Sequence, residues 1–466
     1  MKSQLTDAKQ RSSALATKIQ KLRLLQPNYP VRPDRTPFFY GWVIVAAATL
    51  GILMSIPGQT MGVSVFTDHL LEATGLSRLA LSNAYFVGTL TSGLCLPFGG
   101  ILLDRLGARV MVVVSSVWLA LTLVYLSGCD RIATFLSTLT SLSLSTTALI
   151  VLTLGFISLR FSGQGMLTLT SRNMLGKWFD RQRGLASGIS GIFTSLGFAA
   201  TPLILKYAID GAGWRGTWLG LAAVVGLGMG LIGWLFFRDN PEECGLQMDG
   251  TTALPAPTAA ASLEPIVLTQ HEFTRGEALK TLAFWATTMA LSSQALVATG
   301  ITFHIVDLGA TVGLSEEGAV SWFLPTAVVS TLVGYSIGVA ADRLNLKLFY
   351  LAMMMAQGIG FMGVAHLGIP LFRIAAIVGL GISGGCFGTL SAVTLPRYFG
   401  RVHLGAISGV QMMSIVIASA IGPSFLAVFK AQLGSYQTGL YFCCGFPAIA
   451  FLLILGSRNP QRSLPH

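Results

Sequence analysis

Between residues 40 and 456 the chain is a succession of twelve apolar runs. They lie at roughly 40–66, 80–103, 109–128, 147–172, 184–207, 216–237, 281–306, 317–340, 347–367, 372–396, 404–429 and 436–456. A helix needs about 20 apolar residues to cross a hydrocarbon core of about 30 Å, so each run reads as one crossing. That core offers no water to backbone N–H and C=O groups, which restricts spanning structures to helices and closed barrels. These runs are continuous, without the ten-residue alternation of a barrel strand, and the barrel is excluded. The expected fold class is therefore an all-α membrane protein. Composition agrees: 53% hydrophobic and 11% charged residues, with a mean hydropathy of +0.68, rule out a soluble multidomain chain of 466 residues. The 53 glycines suit helices that pack closely in lipid, where small residues replace the hydrophobic effect as the means of association.

An even number of crossings puts both termini on one side. Under that topology 23 of the 30 Lys and Arg residues fall on the terminal side and Arg160 falls in the membrane. Only Arg78, Arg131, Lys206, Arg215, Arg373 and Lys430 fall on the other side. Basic loops stay in the cytoplasm, so both termini are expected there. The formal charge of +11 then follows from topology and implies no nucleic acid partner. The domain plan is a tail at 1–37, a six-helix half at 38–238, a linker at 239–280, a second half at 281–457 and a tail at 458–466. The first tail lacks the apolar h-region of a signal peptide. Residues from about 5 to 25 read as a basic amphipathic helix on an anionic membrane surface, as a solvated tail, or as an organellar transit peptide.

Two segments exceed a minimal twelve-helix plan. Residues 130–146 form a Ser/Thr/Leu-rich connection, either a helix extension or an outer interfacial segment. Residues 238–280 carry Pro-, Ala- and Thr-rich sequence, as in a flexible linker between halves. The six cysteines show no CxxC spacing and read as small core residues, so neither a disulfide framework nor a metal site is expected.

One ionised group stands in the middle of a crossing. Arg160 cannot be deprotonated, and a charged side chain at the bilayer centre costs at least about 2.5–3.5 kcal/mol, so it faces protein or a watery cavity. Gln164 follows one turn later on the same stripe. Two roles are open to Arg160: a binding or gating group for an anion, or a structural group bonded to backbone carbonyls of a neighbouring helix. No Asp or Glu falls within the middle of any crossing, which argues against a buried-carboxylate proton relay. Walker A, HExxH and nucleophile-elbow patterns are absent, so the chain is not expected to be an enzyme or to need a cofactor.

The halves repeat one another. Gly184-Leu-Ala-Ser-Gly188 and Gly405-Ala-Ile-Ser-Gly409 each begin 18 residues before a proline, Pro202 or Pro423. Trp178-Phe-Asp-Arg181 matches Tyr398-Phe-Gly-Arg401. Gly100-Ile-Leu-Leu-Asp104-Arg105-Leu-Gly107-Ala-Arg109 matches Gly338-Val-Ala-Ala-Asp342-Arg343-Leu-Asn345-Leu-Lys347. Two related halves are a transporter signature, because rocking one against the other exposes a central site to each side in turn.

In these residues the chain resembles the major facilitator superfamily from Tyr40 to Leu455. Phe39-Tyr-Gly-Trp42 and the Pro57-Gly58-Gln59 break look like the bacterial monocarboxylate porter and oxalate/formate exchanger group. The resemblance implies two six-helix bundles, a cavity lined by the first, fourth, seventh and tenth crossings, and a place in a bacterial inner membrane. It also implies cytoplasmic gating by Gly100, Asp104, Arg105, Gly107, Arg109, Asp342 and Arg343. Two cations of the exchanger scheme, in the eighth and eleventh crossings, have no counterpart here. On the expected cavity helices, Gln59 and Thr60 flank the Pro-Gly break, while Gln294 and His304 lie about 80° apart around the seventh crossing. The expected substrate-binding set is Arg160, Gln164, Gln59, Gln294 and His304, with His304 the candidate carrier of a co-transported proton. One fixed positive charge suits a small organic anion such as a monocarboxylate, moved by a chain that acts as a monomer. The rival readings are efflux of a neutral or amphipathic drug-like solute, and a non-transporting ligand sensor on the same fold.

Overall fold

The computed structural model describes residues 26–250 and 271–462. The amphipathic helix expected near 5–25, the middle of the linker and residues 463–466 lie outside the described residues. Every regular element among the described residues is helical. Eleven helical runs among the described residues are long and apolar enough to cross a membrane. One of them, Arg183–Phe236, has 54 residues, which at about 1.5 Å per residue would be about 80 Å long if straight. It is broken at Gly213, whose φ of 70° and ψ of 162° reverse the chain in a conformation open mainly to glycine. The run is therefore the fifth and sixth crossings, and the count of twelve holds.

Three boundaries differ from the sequence expectation. The first crossing, Gly41–Gly58, ends in a break: the helix Gly41–Met54 passes through the 3-10 turn Ile56–Gly58 into the short helix Thr60–Ser64. The fourth crossing runs over Leu144–Trp178 and contains a π-helical segment, Arg160–Leu167. Arg172, at the expected end of the run, and Lys177, beyond it, are thus both inside the helix, because nothing before Phe179 stops it. The 130–146 segment holds a separate helix, Cys129–Leu139, after which Ser143 caps the fourth crossing by accepting from Thr146 N at 3.2 Å.

Buried apolar residues gather in three clusters. One extends from Tyr40 to Cys244 with Val416 added, and two draw on residues from Phe273 onward. Phe98, Leu121, Leu227, Leu324 and Leu332 point outward, as side chains meeting lipid should. Four of the six cysteines are buried and none is bonded to another among the described residues.

The halves meet where glycines allow backbones to touch. A Cβ on Gly100, in the second crossing Arg78–Leu106, would lie 2.0 Å from Gly405 O in the eleventh crossing, Leu404–Leu433. A Cβ on Gly184 in the fifth would lie 2.1 Å from Gly338 O in the eighth crossing, Glu317–Ala341. Both contacts lie near the end of the molecule that carries residues 26 and 462, called the inner end below.

Candidate functional site

The inner end is closed by a paired hydrogen-bond device. Asp104 accepts from Gly405 N and Ala406 N, each at 2.7 Å, at the start of the eleventh crossing. Asp342 accepts from Gly184 N at 2.7 Å and Leu185 N at 2.9 Å, at the start of the fifth. Each carboxylate therefore occupies the positive end of a helix from the opposite half, where unpaired N–H groups and the helix dipole favour an anion. Two further carboxylates hold the turns just before these helices: Asp249 accepts from Asp180 N, Arg181 N and Gln182 N, and Glu272 from Arg401 N and Val402 N.

The basic residues of the repeated motif do other work. Arg109 donates to Trp234 O at 2.8 Å, Gln26 O at 3.1 Å and Tyr29 O at 2.7 Å, so it ties the sixth crossing to the N-terminal segment within one half. Arg105 and Arg343 are exposed and form no hydrogen bond among the described residues. Gly107, with φ of 82°, lies against the Asp239 carboxylate, which accepts from Ala108 N. The expected pairing across the seam is thus made by the aspartates alone.

Arg160 is 1% exposed. Its Nη1 donates to Gly58 O at 3.1 Å and Thr60 Oγ1 at 3.3 Å, and its guanidinium lies over the Tyr85 ring at 5.2 Å. Tyr85 also donates to Thr60 Oγ1 at 3.1 Å. The broken first crossing supplies the carbonyl and the hydroxyl, and its close approach requires Gly58: a Cβ there would lie 2.7 Å from Leu159 O and 2.8 Å from Gly163 Cα. Arg160 Nε and Gln164 Oε1, one turn apart, find no protein partner among the described residues. Gln59 Nε2 donates to Ser55 Oγ at 3.1 Å and Thr168 Oγ1 at 3.4 Å. The structure thus brings Arg160, Gln164 and Gln59 together at the junction of the first and fourth crossings.

Gln294 and His304 stand elsewhere. Gln294, in the seventh crossing Leu282–Ala310, accepts from Ser383 Oγ of the tenth crossing, Pro370–Phe399, at 2.7 Å. His304 contacts Pro423 O through Nε2 at 2.9 Å and the Tyr436 hydroxyl through Nδ1 at 3.2 Å, while Tyr436 donates to Asp307 at 2.6 Å. It faces the eleventh and twelfth crossings, away from the Arg160 cluster, with Pro423 O and the Tyr436 hydroxyl within hydrogen-bond distance of its two ring nitrogens.

Arg172 was not foreseen as a site residue. It is partly exposed, donates through Nη1 to Ser391 Oγ at 3.0 Å across the seam, and lies 6.0 Å from the Phe387 ring centroid. Its absence from the candidate set came from ending the fourth crossing too early. The continuous helical pattern through Trp178 was the available signal. Neither Arg160 nor Arg172 has a carboxylate within ion-pair distance among the described residues.

The family model of the Major Facilitator Superfamily matches residues 45–423. The chain belongs to this superfamily. As a member of the major facilitator superfamily it is a transporter rather than an enzyme. Rat monocarboxylate transporter 1 is 24% identical over 441 residues, which cover 87% of this chain and 82% of the relative. Mouse monocarboxylate transporter 11 is 24% identical over 454 residues, covering 91% and 88%. Among solved structures, a bacterial homologue of the iron transporter ferroportin in an outward-facing state superposes with a TM-score of 0.65 at 16% identity. That match covers 89% of this chain and 98% of the other and concerns the fold alone.

Proposed function

We propose that this transporter moves a small organic anion, a monocarboxylate in particular, by alternating access between its two halves. One observation carries the reading: the fourth crossing holds two guanidinium groups, Arg160 and Arg172, with no carboxylate to neutralise either. In a medium of low dielectric constant such charge attracts an anion and repels a cation far more strongly than it would in water. Gln59 and Gln164 lie beside Arg160, and Gln294, whose amide oxygen accepts from Ser383, forms no hydrogen bond through its amide nitrogen among the described residues and offers it to a solute from the other half. The relatives named as monocarboxylate transporters, similar along most of the chain, support the same solute class. The Asp104 and Asp342 bonds supply the alternation, holding the inner side shut until the halves rock apart.

The test is uptake of radiolabelled pyruvate, acetate and benzoate into sealed proteoliposomes, beside a neutral sugar. Saturable uptake of a carboxylate that falls about tenfold in Arg160→Gln supports the reading. Carboxylate uptake equal to that of empty vesicles overturns it. Saturable flux of the sugar alone would favour the neutral-solute alternative, and no flux of any solute the sensor.

A further inference from the structure

The fourth crossing carries two guanidinium groups without an ion-pair partner among the described residues, and the structure treats them differently. Arg160 is fully enclosed: its Nη1 is engaged by the Gly58 carbonyl and the Thr60 hydroxyl of the broken first crossing, the Tyr85 ring of the second crossing covers it, and its Nε finds no protein partner among the described residues. Arg172 lies 12 residues nearer the inner end, about 18 Å along the helix. Its one protein hydrogen bond, to Ser391, uses one of five N–H donors. Ser391 is partly exposed, belongs to the opposite half and donates its hydroxyl to Gly388 O at 3.0 Å.

The position of this pair relative to the closed inner end is informative. One turn inward of Arg172, Gly176 meets Pro396 of the tenth crossing, where a Cβ on the glycine would lie 2.7 Å from the proline ring. Asn173 beside it donates to Ser408 Oγ of the eleventh crossing at 2.9 Å. Fourth and tenth crossings both run toward the inner end, so Arg172 and Ser391 are the first polar pair outward of the seal. One turn further outward on the tenth crossing is Phe387, a ring within reach of the guanidinium. One turn outward on the fourth is Thr168, which bonds Ser55 and Gln59.

We infer that Arg172 and Ser391 form the carboxylate subsite: Arg172 takes the carboxylate oxygens through its fork of N–H groups, Ser391 turns its hydroxyl from the Gly388 carbonyl to donate from the other half, and Phe387 covers the apolar body. Arg160 acts at a distance, through the positive charge it places beside the break of the first crossing. A carboxylate bound in this way bridges the halves at the floor of the site, so binding itself bears on the rocking that carries the solute across. Guanidinium is suited to this because its planar donors match two carboxylate oxygens at once. The inference rests on the anion reading proposed above.

The experiment is thermal unfolding of the detergent-purified full chain with pyruvate or benzoate, and with benzamide as the uncharged control. Arg172→Gln, Arg172→Lys and Asp104→Asn are run beside wild type. Asp104→Asn weakens a bond across the seam without touching the subsite, and so reports what loss of a mere latch does. Stabilisation of wild type by benzoate and not benzamide, retained in Asp104→Asn, is the expected pattern. In Arg172→Gln the half-saturating benzoate concentration should rise about 10- to 100-fold, the loss of a charge-assisted hydrogen bond, with partial recovery in Arg172→Lys. Two results overturn the inference and leave the anion reading intact: benzoate affinity in Arg172→Gln within twofold of wild type, or an equal loss in Arg172→Gln and Asp104→Asn. A wild type that no carboxylate stabilises overturns the anion reading and the inference with it.

Discussion

Asp104 and Gly405, 301 residues apart in sequence, are joined at 2.7 Å across the seam between the halves, and Asp342 and Gly184 repeat the bond at the same distance. The pair makes the inner closure symmetric: each half lends a carboxylate and receives one at a helix start. An asparagine in place of Asp104 would offer one acceptor oxygen to two N–H donors and turn an amide NH2 toward the second, which is left unsatisfied. Asp104→Asn is expected to weaken the closed state by about 2 kcal/mol, a shift of about 30-fold toward the inward-open form. Spin-label distances across the inner seam measure it, and Asp104→Asn/Asp342→Asn should open further than either single variant. An unchanged distance distribution in the double variant would contradict the closure role.

Asp342 gives the closure a pH dependence of definite sign. Burial raises its carboxyl from 3.8 to about 6 in the latched state, against the lowering influence of the Gly184 and Leu185 N–H groups and of Arg397 and Arg183. Opening returns the group to water and its pKa falls back. The latched form therefore binds the proton more tightly. Acidification from about pH 6 toward 3.8 favours closure, and closure loses support as pH rises through about 6. The inner-seam distance, followed from pH 7.5 to 5, should shorten in wild type and change less in Asp342→Asn.

Gly58 and Gly191 separate close approach from helix propensity. A Cβ on Gly58 would press on backbone atoms of Leu159, Gly163 and Gln164, none of which can rotate away, whereas one on Gly191 meets nothing within 4 Å. Gly58→Ala should lower the thermal midpoint, at a cost of about 1–3 kcal/mol, and loosen the Arg160 cluster. Gly191→Ala, inside a helix, should raise stability by up to about 1 kcal/mol. Midpoints that move in the same direction would refute the contact.

Replacing Arg160 by an apolar side chain of similar length tests what its charge is for. A buried cation without a counter-charge is held at a cost to stability, and such groups are often replaced by apolar ones with little loss. Arg160→Met should unfold within a few degrees of wild type and still lose at least about tenfold in carboxylate uptake. A collapse in stability would make Arg160 a purely structural strut.

The sequence by itself determined the membrane class, the number of crossings and the repeated halves. Those features follow from run length and spacing, which the bilayer thickness and the absence of water in it turn into geometry. The 54-residue run Arg183–Phe236 shows the mechanism: the sequence reads it as two runs, 184–207 and 216–237, and Gly213 breaks the helix between them. Asp104 and Asp342 were legible as a matched pair because a motif repeated at matching places marks a role shared by both halves. Their partners were not, since a carboxylate at the end of the second crossing names no particular helix start 301 residues away. Only tertiary structure decided that Arg109 serves its own half, that His304 turns to Pro423 and Tyr436, and that the polar set divides into separate clusters. It alone separated Arg160 from Arg172. Both are arginines on one apolar helix, and which is enclosed and which meets the opposite half depends on how the broken first crossing and the tenth pack against that helix.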